Sequence, residues 1–198
     1  MQEPQIDIEA LKQDENFQKD LKKLEDEVKT QKSIDKGYKL LGTKLAINAP
    51  EDEINELFTF IVNQAFDVLA DYLTEHKGFD LNNPEELATA RAIYEHGIQR
   101  YSENDIKGAK EIFLVLHHTI ENDELKDAMM IHACAVMAGH KFDDFIDNLA
   151  DTSDIDPNDP TAFFIKDFKQ PKDILLQMFK KYVKLGEKEL EVLNRDKA

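Results

Sequence analysis

The sequence predicts an all-α fold. Only seven Gly and six Pro punctuate its 198 residues, which leaves few turn signals and favours long helices. Apolar residues make up 41% of the chain and charged residues 33%, a balance that suits exposed amphipathic helices better than a buried sheet. In several stretches the apolar residues recur at spacings of three and four, which is the period of a helix that buries one face.

Residues 1–49 are predicted to form a charged helical extension or arm. A thin apolar seam runs along its first helix and consists of Phe17, Leu21, Leu24 and Val28. A helix with so little apolar surface is marginal by itself. Residues 1–32 therefore either pack against a partner or the rest of the chain, or remain a free arm.

Residues 50–198 are predicted to form a helical domain. Its first helix should run from about Pro50 to His76, because Asn48 offers a polar cap, Pro50 stands in the first turn and acidic residues follow. The apolar face of this helix is wide and is expected to be core. Asn83 and Pro84 should begin the next helix in the same way.

The stretch from Ala90 to Asn122 has the pattern of one helix-turn-helix unit. Gly97 and Ala109 are small at the positions where the two helices of such a unit cross, and Phe113 supplies the aromatic position. Asn104-Asp105-Ile106 stands at the turn. This order and spacing is typical of a tetratricopeptide repeat. Repeats of this kind stack into a curved surface that holds another polypeptide.

Two further repeats are predicted after this one. In residues 126–159 Ala133 takes the small position and Phe142 the turn, whereas Phe145 stands where a small residue is expected. Residues 160–185 form a degenerate third repeat that starts with a shortened helix over 161–168. The predicted fold is therefore a set of tetratricopeptide-like repeats, two clear at about 90–122 and 126–159 and a third degenerate, preceded by a long N-terminal helical extension.

The positions that line the concave side of such repeats are all apolar or aromatic here. They are either ordinary core or a groove for a client protein, and Met and Tyr suit such a groove. Tyr94 and Ile98 stand where repeats that clamp an acidic C-terminus carry Lys and Asn, so apolar anchors are expected instead. The candidate client-binding residues are Tyr94, Ile98, Tyr101, Met130, Cys134, Met137, Phe164 and Phe168.

A longer order of motifs runs from Val68 to Leu116. Gly78-Phe79-Asp80-Leu81 closes one helix and Asn83-Pro84-Glu85-Glu86 begins the next. A spaced run follows, made of Ile93, Tyr94, Tyr101, Ile106, Ala109, Phe113 and Leu116. In this order and spacing the chain resembles the class II chaperones of type III secretion, which have Gly-Ala-Thr-Leu and Ile-Pro-Asp-Asp at the first two places.

The resemblance implies a function and a site. Chaperones of that family hold membrane-inserting translocator proteins before export, and their residues matching Tyr94, Ile98 and Tyr101 line the client groove. Their N-terminal helices supply dimer contacts, so a homodimer through those helices is an expectation here. This chain departs from the family at Phe79, where a small residue is usual.

Charge and composition exclude several partner classes. The formal net charge is −16, which disfavours binding to the phosphates of DNA and RNA and to an anionic membrane surface. Cys134 is the only cysteine, so no disulfide within the chain is expected. The first residues lack the basic start and apolar core of a signal peptide, and no apolar run reaches the ~18–20 residues of a membrane span. A cytoplasmic location is expected.

The sequence contains no residue pattern typical of a catalytic, metal or phosphate site. His117 and His118 are adjacent and point to different faces of a helix. Asp154, Asp156 and Asn158 begin like a calcium loop, but the Gly and the Glu of that motif are missing. A Gly-rich phosphate loop and a nucleophile elbow are also absent from the sequence. We therefore expect no cofactor, no metal and no enzymatic activity.

The sequence favours a cytoplasmic secretion chaperone or adaptor. Its partner would be a client with an apolar linear segment, for which a secreted translocator is the candidate, and binding in the concave groove would keep that client soluble before export. The alternative is a structural or adaptor subunit of a larger bacterial assembly, docked through the N-terminal helix.

Overall fold

A computed structural model describes residues 8–195, with side chains up to residue 193. Ten helices account for most of these residues, and two isolated bridges are the only β pairing among them. The predicted all-α class is confirmed. In the described part of the chain, no helix combines the length and the apolar character needed to cross a membrane.

The chain divides into two compact units, residues 1–65 and 66–198, with the boundary inside one helix. In the first unit the ends of the helices are set by side-chain caps: Asp14 accepts from the amide of Phe17 at 2.7 Å, and Ser33 accepts from that of Lys36 at 3.2 Å. The first seven residues of the predicted extension lie outside the described residues. The helices are α1 (Ile8–Gln13), α2 (Glu15–Gln31), α3 (Ile34–Ala46) and α4 (Glu51–Glu75), which continues into the second unit.

The apolar side chains of the predicted seam of α2 are buried to different extents. Val28 is buried at 1% exposure, whereas Phe17, Leu21 and Leu24 are half-buried. A buried lysine accompanies this seam: the Lys44 ammonium lies 2.7 Å from a carboxylate oxygen of the half-exposed Glu25, and its second partner is the exposed Glu53 at 2.8 Å.

In the second unit the predicted end of α4 and the predicted start of the next helix are confirmed. α4 ends at Glu75 and His76 takes a left-handed φ of 54°, next to the predicted stop. Asn83 caps the following helix by accepting from the amide of Glu85 at 3.0 Å, and Pro84 opens that helix. The helices are α5 (Pro84–Ser102), α6 (Ile106–Thr119), α7 (Asp123–Met137), α8 (Phe142–Asn148), α9 (Lys172–Met178) and α10 (Lys180–Arg195).

Helices α5 and α6 form an antiparallel hairpin around a tight turn. Asn104 has a positive φ of 60°, and Asp105 caps α6 by accepting from the amide of Gly108 at 2.9 Å. Gly97 lies where α5 meets α6, because a Cβ added there would lie 2.8 Å from Cγ2 of Ile112. This arrangement agrees with the small and turn positions that the sequence indicates.

The predicted helix over 161–168 is wrong. Asp159 accepts from both the amide and the hydroxyl of Thr161 at 2.7 Å, which starts a turn instead of a helix. In a helix the amide of Ile165 would donate to the carbonyl of Thr161. Here that amide donates to a side chain of α5. Residues 149–171 consequently contain no helix and form one long connection between α8 and α9.

Candidate functional site

The structure covers most of the predicted client-binding residues with the chain itself. Five of them are at most 3% exposed: Tyr94, Tyr101, Met130, Cys134 and Phe164. The other three, Ile98, Met137 and Phe168, are half-buried. The predicted open groove is therefore filled in this conformation, and the binding of a client there stays a prediction.

Tyr94 lies at the centre of the contacts that fill the predicted groove. The amide N–H of Ile165 donates to the hydroxyl oxygen of Tyr94 at 3.0 Å. The ring of Phe164 packs edge-on against the Tyr94 ring, with 4.9 Å between the centroids. Burial raises the pKa of the Tyr94 hydroxyl, so this group is a neutral donor and acceptor at any physiological pH.

His132 continues this polar chain into α7. Its Nδ1 lies 2.8 Å from the carbonyl oxygen of Ala128, which only accepts, so Nδ1 carries the proton. Its Nε2 is then free to accept from the Tyr94 hydroxyl at 3.2 Å. Burial lowers the pKa of His132 to about 4, which keeps the imidazole neutral. Each polar group in this buried chain consequently has a partner.

The aromatic residues of the 161–168 segment take separate positions along α5 and α7. Phe164 contacts Tyr94. Phe168 lies edge-on to His132 at 6.1 Å between centroids. Phe163 packs against the ring of Phe164, with 4.4 Å between the centroids, and lies under the guanidinium of Arg91 at 5.0 Å, a cation–π contact. The segment therefore places two aromatic side chains that are four residues apart, Phe164 and Phe168, beside the buried polar chain of Tyr94 and His132.

Tyr101 belongs to a neighbouring cluster about two turns further along α5. Its hydroxyl donates to the carbonyl oxygen of His140 at 2.8 Å. Its ring contacts Phe142 and Phe145 of α8, at 5.5 and 5.8 Å between centroids. Phe145, which stands at a position expected to be small, is fully buried here. The bulky side chain thus fills the space between α5, α7 and α8.

Met130 and Cys134 lie on a different side of α7, against α10. A Cβ added to Gly186 of α10 would lie 3.4 Å from the sulfur of Met130. Burial, with a smaller effect from Glu187, raises the pKa of the Cys134 thiol to about 12. The eight predicted residues therefore do not share one surface. Tyr94, Phe164 and Phe168 come together, and these two sulfur-bearing residues are separated from them.

His132 and Phe145 are the central residues that the sequence analysis did not place at the site. His132 is fully buried and contacts Phe113 and Phe145 at 4.9 and 4.6 Å between ring centroids. Two signals point to them. Phe145 is a bulky residue at a small position, and His132 lies among apolar residues in the middle of α7.

The described residues offer no group for metal chemistry. Among them, no three His, Cys, Asp or Glu side chains are grouped so that they could hold a metal ion. Cys134 is buried and its thiol pKa is raised, so it lacks the thiolate character that a nucleophile needs. The site is built for contacts with aromatic rings and one backbone amide.

Comparison with known proteins adds no relative. The chain matches no protein-family model, no curated protein and no solved structure.

Proposed function

We propose that this chain is a client-holding chaperone or adaptor that binds an apolar, non-helical segment of another polypeptide. The observation that supports this most is the site on α5 and α7 that residues 161–168 occupy, which we call the seat. That stretch lies against α5 and α7 through an amide bonded to Tyr94 and through the rings of Phe164 and Phe168. A surface that accommodates one such stretch has the chemistry to accommodate another.

The helix pairs α5–α6 and α7–α8 are, in this proposal, two tetratricopeptide-like repeats. The close contact of Gly97 with α6 and the capped turn at Asp105 support the first pair. The second pair departs from the pattern, since α8 has only seven residues and carries Phe145 at the crossing. The third unit is reduced to α9 and α10, because its first helix is replaced by the 161–168 segment.

The client we propose is a secreted translocator, held in the cytoplasm before its export. The support is the order of motifs from Val68 to Leu116 and its resemblance to class II type III secretion chaperones. Each anchor side chain that becomes buried would contribute roughly 1.5–3 kcal/mol before ordering costs. Apolar anchors of this strength hold a segment without requiring it to fold.

Binding of a permanently unfolded protein tests this proposal. Reduced, carboxymethylated α-lactalbumin serves as the probe, and complex formation is followed by size-exclusion chromatography and by titration. Ile98→Glu and Met137→Glu place a charge at two half-buried positions of the predicted groove, and each should weaken binding roughly tenfold or more, about 1.4 kcal/mol. Leu45→Glu is the matched control, because Leu45 is 53% exposed and belongs to the first unit. Equal binding by all three variants, or no binding by the unmodified chain, would refute the proposal.

One observation favours the alternative, a subunit that docks through its N-terminal helix. Within the first unit a surface concavity of about 680 Å³ lies beside α2, and its lining includes Leu21, Ile47 and Pro50. Apolar surface of this kind can receive a side chain from a partner. If docking is the function, Leu21→Glu should abolish assembly with the chain's partners or with itself and leave binding of the unfolded probe unchanged.

A further inference from the structure

The 161–168 segment has the features of a bound ligand. It makes one main-chain hydrogen bond to a side chain, from Ile165 to Tyr94, and it inserts one ring beside Tyr94 and a second beside His132. Peptides that bind in extended form are held in this way, by main-chain hydrogen bonds for affinity and side-chain pockets for specificity. The segment differs from such a peptide in having turns over residues 159–164 and in being covalently attached.

The attachment is a narrow neck. The amide of Asp151 donates to the carbonyl of Asp167 at 2.9 Å, and the amide of Lys169 donates to that of Leu149 at 2.9 Å, around an isolated antiparallel bridge. Beyond this neck the loop does not collapse on itself. A cavity of about 340 Å³ lies within it, lined only by residues between Asp151 and Asp167.

We infer that the client segment carries two aromatic residues four positions apart, with a residue other than proline directly after the first, and that residues 161–168 compete with it for the same seat. The spacing is that of Phe164 and Phe168. Proline is excluded at the second place because the residue there, Ile165 in this chain, must donate its amide hydrogen to Tyr94. This inference rests on the proposed function of the site.

Competition follows from the tether. A segment attached at both ends is present at an effective concentration on the order of millimolar. A free client is therefore bound with an affinity reduced by the fraction of molecules whose seat is open. The chain thus retains only client segments whose affinity is high enough to displace its own segment. Its apolar surface stays covered when no client is present.

A peptide copy of the segment tests the inference in trans. A fluorescent peptide of residues 159–170 is titrated into the full chain and into a Phe164→Ala, Phe168→Ala variant. In this variant the chain's own 161–168 segment lacks the two aromatic rings and competes less well for the seat. The variant should bind the peptide at least tenfold more tightly than the unmodified chain. A peptide in which Ile165 is replaced by Pro should lose at least tenfold in affinity, as should one with an extra residue between the two aromatic positions.

A disulfide across the neck tests the competition separately and covers the case in which the alanine variant fails to fold. Asp151 and Asp167 are exposed and stand next to the antiparallel bridge of Ala150 and Phe168, joined by one main-chain hydrogen bond. Residues opposite each other at such a position have Cα atoms about 5.5 Å apart, within disulfide range. Oxidised Asp151→Cys, Asp167→Cys protein should bind carboxymethylated α-lactalbumin at least tenfold more weakly than the same protein after reduction. The single variant Asp167→Cys should show no such difference.

The outcomes separate the two claims. If the unfolded probe binds but the proline and inserted peptides bind as well as the parent peptide, the motif is refuted and the proposed function stands. If oxidation of the neck leaves probe binding unchanged, the competition is refuted. If neither peptide nor probe binds any form, the proposed function fails together with this inference.

Discussion

The hydroxyl of Tyr94 and the amide of Ile165 form a hydrogen bond of 3.0 Å across 71 residues of sequence. The same hydroxyl donates to Nε2 of His132 at 3.2 Å, so one phenol joins α5, α7 and the long connection between α8 and α9. Tyr94 is 2% exposed, and buried polar groups without partners are costly. The Tyr94 hydroxyl oxygen therefore ties the 161–168 segment to both helices.

Replacement of Tyr94 by Phe should loosen this segment. The variant keeps the ring but leaves the Ile165 amide and the His132 Nε2 without their partner, which costs about 1–3 kcal/mol in the free energy of unfolding. Urea denaturation measures that loss, and limited proteolysis should show faster cleavage between residues 151 and 170. Tyr182→Phe is the matched control and should change stability by less than about 0.5 kcal/mol. Equal stability of the two variants would contradict the role given to the Tyr94 hydroxyl.

Stability should fall with acidification through the titration of His132. Burial lowers its pKa from 6.5 to about 4, so the unfolded chain takes up the proton first. The contribution is complete above pH 6.5 and is lost as the pH drops toward 4, by up to about 3 kcal/mol. Protonated Nε2 can no longer accept from Tyr94, which removes the polar chain at the same time.

The measurement is the free energy of unfolding by urea at several pH values between 4 and 7. His132→Gln should flatten the dependence, because the amide does not titrate. A residual slope is expected from His96, whose pKa is lowered by burial and by Arg100. The same slope in His132→Gln and in the unmodified chain would show that His132 does not titrate as its burial requires.

The sequence alone predicts the parts of the fold that local chemistry decides. The helix expected from Pro50 to His76 is observed as Glu51–Glu75, and Asn83 caps α5 as expected. Both rest on caps and periodicity, which act within a few residues. The 161–168 stretch could not be predicted in this way. Its apolar spacing fits a short helix, but the amide of Ile165 is taken by Tyr94, far away in the sequence.

In the candidate site, too, local sequence patterns predict some features, whereas contacts between distant residues decide the others. Repeat spacing predicts that Tyr94, Tyr101 and Met130 of α5 and α7 line a client groove, whereas the structure buries all three within the chain itself. Which part of the chain covers each of them depends on the path of residues 149–195. Tyr94 is covered by the segment at Phe164, and Met130 lies beside Gly186 of α10. Neither contact has a local signal in the sequence.

Two glycines in helices should respond to alanine in opposite directions. A Cβ on Gly97 would lie 2.8 Å from Cγ2 of Ile112, a branched methyl close to its own backbone that cannot move away easily. Gly97→Ala should therefore lower the unfolding free energy by about 1–3 kcal/mol, despite the higher helix propensity of alanine. Gly42 has nothing within 4 Å of an added Cβ, so Gly42→Ala should raise it by up to about 1 kcal/mol. Thermal denaturation of both variants checks the signs, and stabilisation by Gly97→Ala would mean that α5 and α6 do not approach so closely.

Cys134 should report on opening of the contact between α7 and α10. It is fully buried, and burial together with Glu187 raises its thiol pKa to about 12, so neither access nor thiolate is available in the folded chain. Because it is the only cysteine, labelling by a disulfide reagent at pH 8 counts a single site. The native rate should be slower than the rate in urea by a factor on the order of a thousand or more. A Cys134→Ser, Ile155→Cys variant places the thiol at a position that is 58% exposed and should label about as fast in buffer as in urea. If native Cys134 reacts within tenfold of that control, α10 does not cover it in solution.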